Sequence, residues 1–140
     1  MRLVLDTIVV VAAMRSPSGA SAAILTSARA AQVTLLANVA LALEYEAKCG
    51  LAEHQRAAGL SARQASVFID TVIAMLEPVE THYMWRPQLR DPADELVLEA
   101  AMNGHARAIV TFNTRDFGAA PARFGIALLT LAQAIRRIRR

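Results

Sequence analysis

The fold class follows from the stretch Ala108-Ile109-Val110-Thr111-Phe112-Asn113-Thr114-Arg115-Asp116, in which a short apolar run passes into a polar turn. The apolar part predicts a buried strand over residues 108–111, and the polar part predicts a short helical turn. The run Leu3-Val4-Leu5 has the same character and ends in Asp6. Three further apolar runs predict strands at residues 33–36, weakly around Val79, and at residues 126–129.

Helical patterns lie between these strands. The predicted helices cover residues 20–31; Asn38 as N-cap to Cys49; a helix with a Ser61–Gln64 capping box and an apolar face of Phe68, Ile69, Val72, Ile73 and Leu76; Asp91-Pro92 to Asn103-Gly104; and a last helix capped by Thr130. Short apolar strands that alternate with helices favour a parallel sheet covered on both faces. In such sheets ligands bind beyond the carboxyl ends of the strands, here at Asp6 and residues 112–116.

Composition narrows the class of protein. The chain has 140 residues, 55% of them hydrophobic and 19% charged, which fits one domain over residues 1–140 with a substantial core. Cys49 is the single cysteine, so a disulfide scaffold is excluded and a reducing cytoplasm is expected. The longest charge-free run, residues 30–43, is too short to cross a bilayer, and Asp6 interrupts any signal-peptide core. We therefore expect a cytoplasmic protein with no membrane partner.

The charge is mildly positive. Fifteen basic and 12 acidic residues give a net charge of +3, which permits nucleic-acid binding without requiring it. Four arginines crowd the C-terminus: Arg136, Arg137, Arg139 and Arg140. A basic last helical turn offsets the helix dipole, and contact with phosphate is the alternative explanation.

Carboxylates are the candidates for chemistry. Asp6, Asp94 and Asp116 each follow a strand or begin a helix, and capping could explain any one of them. Glu44 has Lys48 four residues on, an ordinary surface pair. Together, however, the three aspartates lie at ends of elements that a parallel sheet brings to one edge, which Glu44 could reach from its helix. Such a cluster of oxygen ligands indicates Mg²⁺ or Mn²⁺, whereas the isolated His54, His82 and His105 do not indicate zinc.

Four motifs in order resemble the PIN-domain ribonucleases, and most of all the toxins of bacterial toxin–antitoxin systems, the group that includes the VapC-like toxins. The motifs are Leu5-Asp6-Thr7 with the nearby Arg15-Ser16-Pro17-Ser18-Gly19-Ala20; Leu43-Glu44-Tyr45-Glu46; Arg90-Asp91-Pro92-Ala93-Asp94-Glu95; and Ile109-Val110-Thr111-Phe112-Asn113-Thr114-Arg115-Asp116-Phe117. The last is the most specific, because Thr-x-Asn-x-x-Asp-Phe after an apolar strand is a hallmark of the family. The resemblance covers nearly the whole chain.

The resemblance implies a three-layer α/β/α sandwich with a central parallel sheet of about four or five strands. It also implies an endoribonuclease that depends on Mg²⁺ or Mn²⁺ and hydrolyses RNA phosphodiesters with a metal-activated water. The residues that match the family's acidic quartet are Asp6, Glu44, Asp94 and Asp116. Supporting polar residues are expected at Thr7, Thr111, Asn113 and Asp91, and Asp91 or Glu95 could replace a member of the quartet. The implied partners are an RNA substrate, a cognate antitoxin and a second copy of the chain.

One position departs from the family pattern. The family usually has asparagine two positions after its first aspartate, where this chain has Ile8. An isoleucine cannot hydrogen-bond a ligating carboxylate, and such losses typically reduce metal affinity or activity 10–100-fold. A catalytically weakened PIN scaffold that binds RNA or a protein is therefore the alternative function. A receiver-like domain phosphorylated on Asp6 is a third hypothesis, which the absence of any lysine after a late strand disfavours.

Three other residues are candidates for RNA contact. Arg15 and Arg115 flank the acidic motifs and could meet phosphates, with solvated charge an equal alternative. Trp85 is the single tryptophan and could stack on a base, although a core edge or a dimer contact is the more ordinary role.

Overall fold

Five parallel strands form the centre of the molecule. The computed structural model describes residues 1–84 and 88–140, so the interpretation of Trp85 lies outside the described residues. The strands are β1 (Arg2–Leu5), β2 (Thr34–Ala37), β3 (Leu76–Pro78), β4 (Ala108–Val110) and β5 (Ala127–Leu129). They lie side by side in the order β3-β2-β1-β4-β5, and every neighbouring pair is parallel. Receiver domains instead place strand three beside strand one, so the receiver-like hypothesis is wrong.

Among the described residues, eight α-helices pack around the sheet. Their bounds are α1 (Thr7–Arg15), α2 (Ala20–Arg29), α3 (Val39–Cys49), α4 (Ala52–Ala58), α5 (Ala62–Met75), α6 (Pro92–Asn103), α7 (Ala120–Arg123) and α8 (Leu131–Ile138). The side chains of Leu3, Val4 and Leu5 are all buried although they alternate between the faces of the sheet. Both faces are therefore covered, and the predicted three-layer α/β/α sandwich with about five parallel strands is confirmed.

The predicted helix caps are present. Asn38 accepts a hydrogen bond from the Leu41 amide, and Asp91 accepts one from the Ala93 amide. The capping boxes that begin α5 and α8 are complete, with Ser61 and Thr130 as their N-cap residues. These local hydrogen bonds satisfy amides that lack an intrahelical partner, which is why the sequence placed four helix starts correctly.

Two details differ from the expectation. Residues 7–15 form α1, a helix that was not predicted, although its run Thr7-Ile8-Val9-Val10-Val11 consists of β-branched residues with low helix propensity. Leu76 was expected on the apolar face of α5, but the helix ends at Met75 and Leu76 begins β3. Among the described residues no single helix is long and apolar enough to span a membrane; α1 and α2 pass that test only as a pair bent by 99°.

Pairing of β1 with β4 brings two chain segments together at the carboxyl edge of the sheet. The Asp6 amide donates to the Val110 carbonyl at 2.9 Å, directly after the last residue of β1. The Thr111 amide donates in turn to the Leu129 carbonyl at 3.1 Å. Asp6 and Thr111 therefore emerge side by side from two central strands.

Candidate active site

A short network of hydrogen bonds fixes the carboxylate of Asp6. The Thr111 hydroxyl donates to Asp6 Oδ2 at 2.7 Å, and Thr111 is fully buried. The same hydroxyl oxygen accepts from the Asn113 amide at 3.1 Å. Because the hydroxyl has one proton and can accept another, it joins the carboxylate to the turn that follows β4. Thr111, which was predicted to support the site, thus contacts the Asp6 carboxylate directly.

Asp116 is held by the same turn. Residues Thr114–Asp116 form a 3₁₀ turn, as the sequence predicted, and Asn113 Nδ2 donates to Asp116 Oδ2 at 3.0 Å. Asp116 remains exposed to solvent. Asn113 therefore orients this carboxylate while leaving its second oxygen available to a ligand.

The third aspartate comes from the first turn of α6. Asp94 is buried, with 8% of its surface exposed, whereas the N-cap Asp91 is exposed. Asp91 uses one carboxylate oxygen at 2.9 Å to cap the Ala93 amide. Capping fixes the start of α6, and with it the direction of the Asp94 side chain three residues later.

Burial, together with nearby negative charges, raises the pKa of two of these aspartates. Burial raises the pKa of Asp94 to about 6, and the negative charges of Asp6, Asp91, Asp116 and Glu95 add to the rise. Burial also raises the pKa of Asp6, where the Thr111 hydroxyl and the Thr7 backbone oppose the rise and the charges of Asp116 and Asp91 reinforce it. Like charges in a partly dry site disfavour ionisation, and a cation would offset that penalty.

A cavity of about 430 Å³ opens beside these carboxylates. Its acidic walls are Asp91, Asp94 and Asp116. Its basic walls are Arg90, Arg115 and Arg123, so the predicted RNA-contact residue Arg115 does lie at the site. The mixed lining suits a ligand that carries negative phosphate together with a metal cation.

Other predicted residues take different positions. Glu44 Oε1 lies 3.9 Å from Lys48 Nζ, and its charge is not among those that raise the pKa of Asp94 or Asp6. Glu95 accepts hydrogen bonds from the Gln88 and Leu89 amides, so it holds the loop before α6. Arg15 ends α1, about 13 Å along the helix from Asp6. That separation removes Arg15 from the immediate surroundings of the aspartates.

Two residues beside Asp6 bear on its environment. Ile8 is 45% exposed in the first turn of α1, where an asparagine was expected from the family pattern. The Thr7 hydroxyl is buried and has no hydrogen-bond partner among the described residues. A buried hydroxyl without a partner is unusual, and here it is one residue from the Asp6 carboxylate.

Tyr45 is a site residue to which the sequence assigned no role. Its hydroxyl donates to the Leu5 carbonyl at 2.6 Å, and the side chain is fully buried. Burial and then the nearby Asp6 charge raise the pKa of Tyr45, so the phenol stays protonated as a donor. Its position four residues after the buried Leu41 gave the only sequence signal, that of the inner face of α3.

The carboxylates supply donor atoms that suit a divalent metal ion. Asp6, Asp94 and Asp116 offer hard oxygen ligands, which Mg²⁺ and Mn²⁺ prefer, and burial raises the pKa values of Asp6 and Asp94, as expected of carboxylates that lack a counter-charge. Across residues 1–84 and 88–140, no three His, Cys, Asp or Glu side chains stand close enough together to ligate one ion. The chemistry of the site therefore fits a divalent cation, although the carboxylates of the described residues do not form a preassembled set of three ligands.

We expect the stability of the chain in chelator to fall as pH rises from about 4 to about 6. The pKa of Asp94 is about 6 when folded and 3.8 in the reference state, so the folded chain binds the proton more tightly. The protonated Asp94 contributes its full stabilisation below pH 4, and this contribution is lost as the pH passes 6. The free energy of unfolding therefore falls by about 2–3 kcal/mol over this range. Urea denaturation of wild type and Asp94→Asn at pH 4.5 and 7 isolates it. Equal pH dependence in both proteins would contradict the assignment.

Comparisons with known proteins agree with this architecture. Residues 2–115 match the family profile described as "PIN domain". The fold is similar to the crystal structure of VapBC2 from Rickettsia felis bound to a DNA fragment from their promoter, with a TM-score of 0.63. The sequences are 15% identical, and the alignment covers 93% of this chain and 98% of that chain. No curated protein sequence matches significantly.

Proposed function

This chain belongs to the PIN-domain family, and from that membership we propose that it is a metal-dependent endoribonuclease acting as the toxin of a toxin–antitoxin pair. The observation that supports the proposal is that Asp94 and Asp116 line one cavity at the carboxyl edge of the sheet, where the charges of Asp6 and Asp116 help to raise the pKa of Asp94. These residues come from three distant parts of the chain. Their placement at one edge of the sheet suits a catalytic metal centre, whereas helix capping alone does not need it.

The residues proposed to hold Mg²⁺ or Mn²⁺ are Asp6, Asp94 and Asp116, with Glu44 as a fourth carboxylate. A divalent cation bound there would supply an activated water and a positive charge opposite the scissile phosphodiester. Thr111 and Asn113 keep the carboxylates of Asp6 and Asp116 in fixed orientations, so fewer side-chain rotations are lost when a ligand binds.

The chain's own cations would position the RNA. Arg115 and Arg123 line the cavity that also contains Asp94 and Asp116. Their guanidinium groups can hold the phosphates that flank the cleaved bond, because guanidinium and phosphate form paired hydrogen bonds. The carboxylates alone would repel the phosphates of the substrate, and the arginines of the cavity would offset that repulsion by attracting them.

The partner and the location are proposals as well. The structural neighbour is named VapBC2, which gives this chain a precedent for a protein partner of the antitoxin kind. We propose a cognate antitoxin, self-association into a homodimer or higher oligomer, and a cytoplasmic location for the pair.

Metal dependence tests the proposal directly. We expect the purified chain to cleave single-stranded RNA in millimolar Mn²⁺ or Mg²⁺ and to lose cleavage in excess EDTA. Mn²⁺ at about 100 times its Kd should stabilise the folded chain by about 2.7 kcal/mol, because the unfolded chain lacks the site. That stabilisation raises the Tm by roughly 5–10 °C. A chain whose melting and RNA cleavage both ignore Mn²⁺ would be no metal-dependent nuclease.

The exposed Ile8 favours a second function, that of a weakened PIN scaffold. Its apolar side chain stands two residues after Asp6 and offers no hydrogen bond to a ligating carboxylate. This function predicts stable binding of RNA in Mn²⁺ without cleavage. A gel-shift experiment run beside the cleavage assay separates the two functions.

A further inference from the structure

A second cavity lies at the opposite, amino edge of the sheet, and none of the proposed metal ligands lines it. Its volume is about 500 Å³, and its lining residues are Arg2, His105, Arg107, Gly125, Ala127 and Arg137. Three of these six residues are arginines, and none is acidic. We call it the basic cavity.

Strand pairing places two of the arginines next to each other. The Arg107 amide donates to the Arg2 carbonyl at 2.8 Å, directly before the paired residues of β1 and β4. Neighbouring strands are about 4.8 Å apart, so the two side chains start that close and enter the same cavity. Like charges at such neighbouring positions are unfavourable for folding. Because Glu77 compensates the charge of Arg2, the uncompensated charge of this pair is that of Arg107, and an anionic ligand would offset it.

The arginines differ in their partners. Arg2 forms an ion pair with Glu77 at 2.7 Å and donates to the Gly104 carbonyl at 3.1 Å. Arg107 and Arg137 are exposed, and within residues 1–84 and 88–140 neither side chain has a hydrogen-bond or ion-pair partner. The dipole of α8 can explain Arg137 in its last turn. It cannot explain Arg107, which precedes a strand.

The basic cavity is also close to the candidate active site along the chain. Arg123 at the end of α7 lines the cavity of the candidate active site, and Gly125 lines the basic cavity. Two residues span at most about 7 Å, so the backbone positions of Arg123 and Gly125, one on each cavity, are no farther apart than that at the end of α7. A flexible polyanion held in the basic cavity can therefore pass Arg123 and reach Asp116.

We propose that the basic cavity, through Arg107 and Arg137, anchors the phosphate backbone of the RNA substrate some nucleotides away from the cleaved bond. The proposal rests on the proposed ribonuclease function for the identity of the polyanion. Contact is electrostatic, since guanidinium groups bind phosphate whatever the base. The anchor thus contributes affinity and sets the direction of the strand, and any sequence preference would arise in the cavity of the candidate active site.

Binding in EDTA tests the anchor without any need for cleavage. The probe is a fluorescent 2′-O-methyl RNA of about 12 nucleotides, followed by anisotropy over a range of salt concentrations. We expect the double variant Arg107→Gln/Arg137→Gln to bind about tenfold more weakly at low salt. Its slope of log K against log salt should be smaller in magnitude by about 1.4, or about 0.7 for each lost contact.

Two matched variants control for charge and folding. Arg56→Gln/Arg63→Gln removes the same charge from exposed positions on α4 and α5, and should bind within about twofold of wild type. Arg107→Lys/Arg137→Lys keeps the charge and should retain most of the affinity. Thermal melting verifies that each variant is folded.

Three outcomes would overturn the anchor. They are equal binding by the glutamine variant and its matched control, tighter binding of duplex DNA than of RNA, and binding of polyglutamate as tight as that of RNA with the same sensitivity to the glutamine changes. The last would assign the cavity to an acidic protein segment. Failure of the ribonuclease proposal would look different, because Mn²⁺ would then produce no cleavage while binding in EDTA kept its dependence on Arg107 and Arg137.

Discussion

Replacement of Asp94 with asparagine is expected to abolish RNA cleavage while making the metal-free protein more stable. The buried Asp94 carboxylate is repelled by Asp6, Asp91, Asp116 and Glu95, and an amide of the same shape feels no such repulsion. We expect a gain of about 1–3 kcal/mol in the free energy of unfolding at pH 7 in EDTA. Cleavage in Mn²⁺ should fall at least about 100-fold, because a proposed ligand is lost.

The two effects are measured by urea denaturation in EDTA and by cleavage of a labelled RNA in Mn²⁺. Asp70→Asn is the matched control, since Asp70 is an exposed aspartate on α5. It should leave cleavage unchanged and alter stability by no more than about 0.5 kcal/mol. If Asp94→Asn kept full cleavage, Asp94 would not be a ligand. If it lost stability in EDTA, the carboxylate would be a structural partner of the fold.

The second large effect is a gain of activity, expected for a substitution at Ile8. Ile8→Asn is expected to raise metal affinity and RNA cleavage about 10–100-fold, because it restores a hydrogen-bonding amide two residues after Asp6. Ile8 is 45% exposed, so the fold loses little apolar burial in the exchange. The gain should therefore appear without a large fall in Tm.

Titration of Mn²⁺ by thermal melting and cleavage rates at saturating Mn²⁺ measure this gain separately for binding and catalysis. Ile8→Val serves as the control, because it changes the size of the side chain and supplies no amide. Equal activity of Ile8→Asn and wild type would mean that the isoleucine is no deficiency, and the weakened-scaffold function would lose its support.

Local chemistry accounts for much of what could be predicted. Four N-caps were placed correctly because a capping side chain and the amide it satisfies are two or three residues apart. The buried strands were recognisable because apolar runs such as Leu3-Val4-Leu5 are covered on both faces. The predicted parallel arrangement then places Asp6 and the Asp116 turn at the same edge of the sheet.

Other features depend on contacts between distant parts of the chain. Helix α1 forms despite its β-branched residues because it packs against α2 and α3, which buries Val9, Val10 and Val11. Tertiary burial exceeds the few tenths of a kcal/mol per residue of intrinsic propensity. Helices α4 and α7 are short, and α4 has no buried residue, so neither has an apolar pattern to recognise.

The site divides along the same line. The residue types and spacing of the chain predict the carboxylates of the proposed site, because oxygen ligands and sheet topology can be inferred from sequence. The hydrogen bond from Thr111 to Asp6, the bond from Tyr45 to Leu5 and the meeting of Arg2 with Arg107 were not readable. Each joins residues 40 or more positions apart, and such a contact exists only once the strand order and register are fixed.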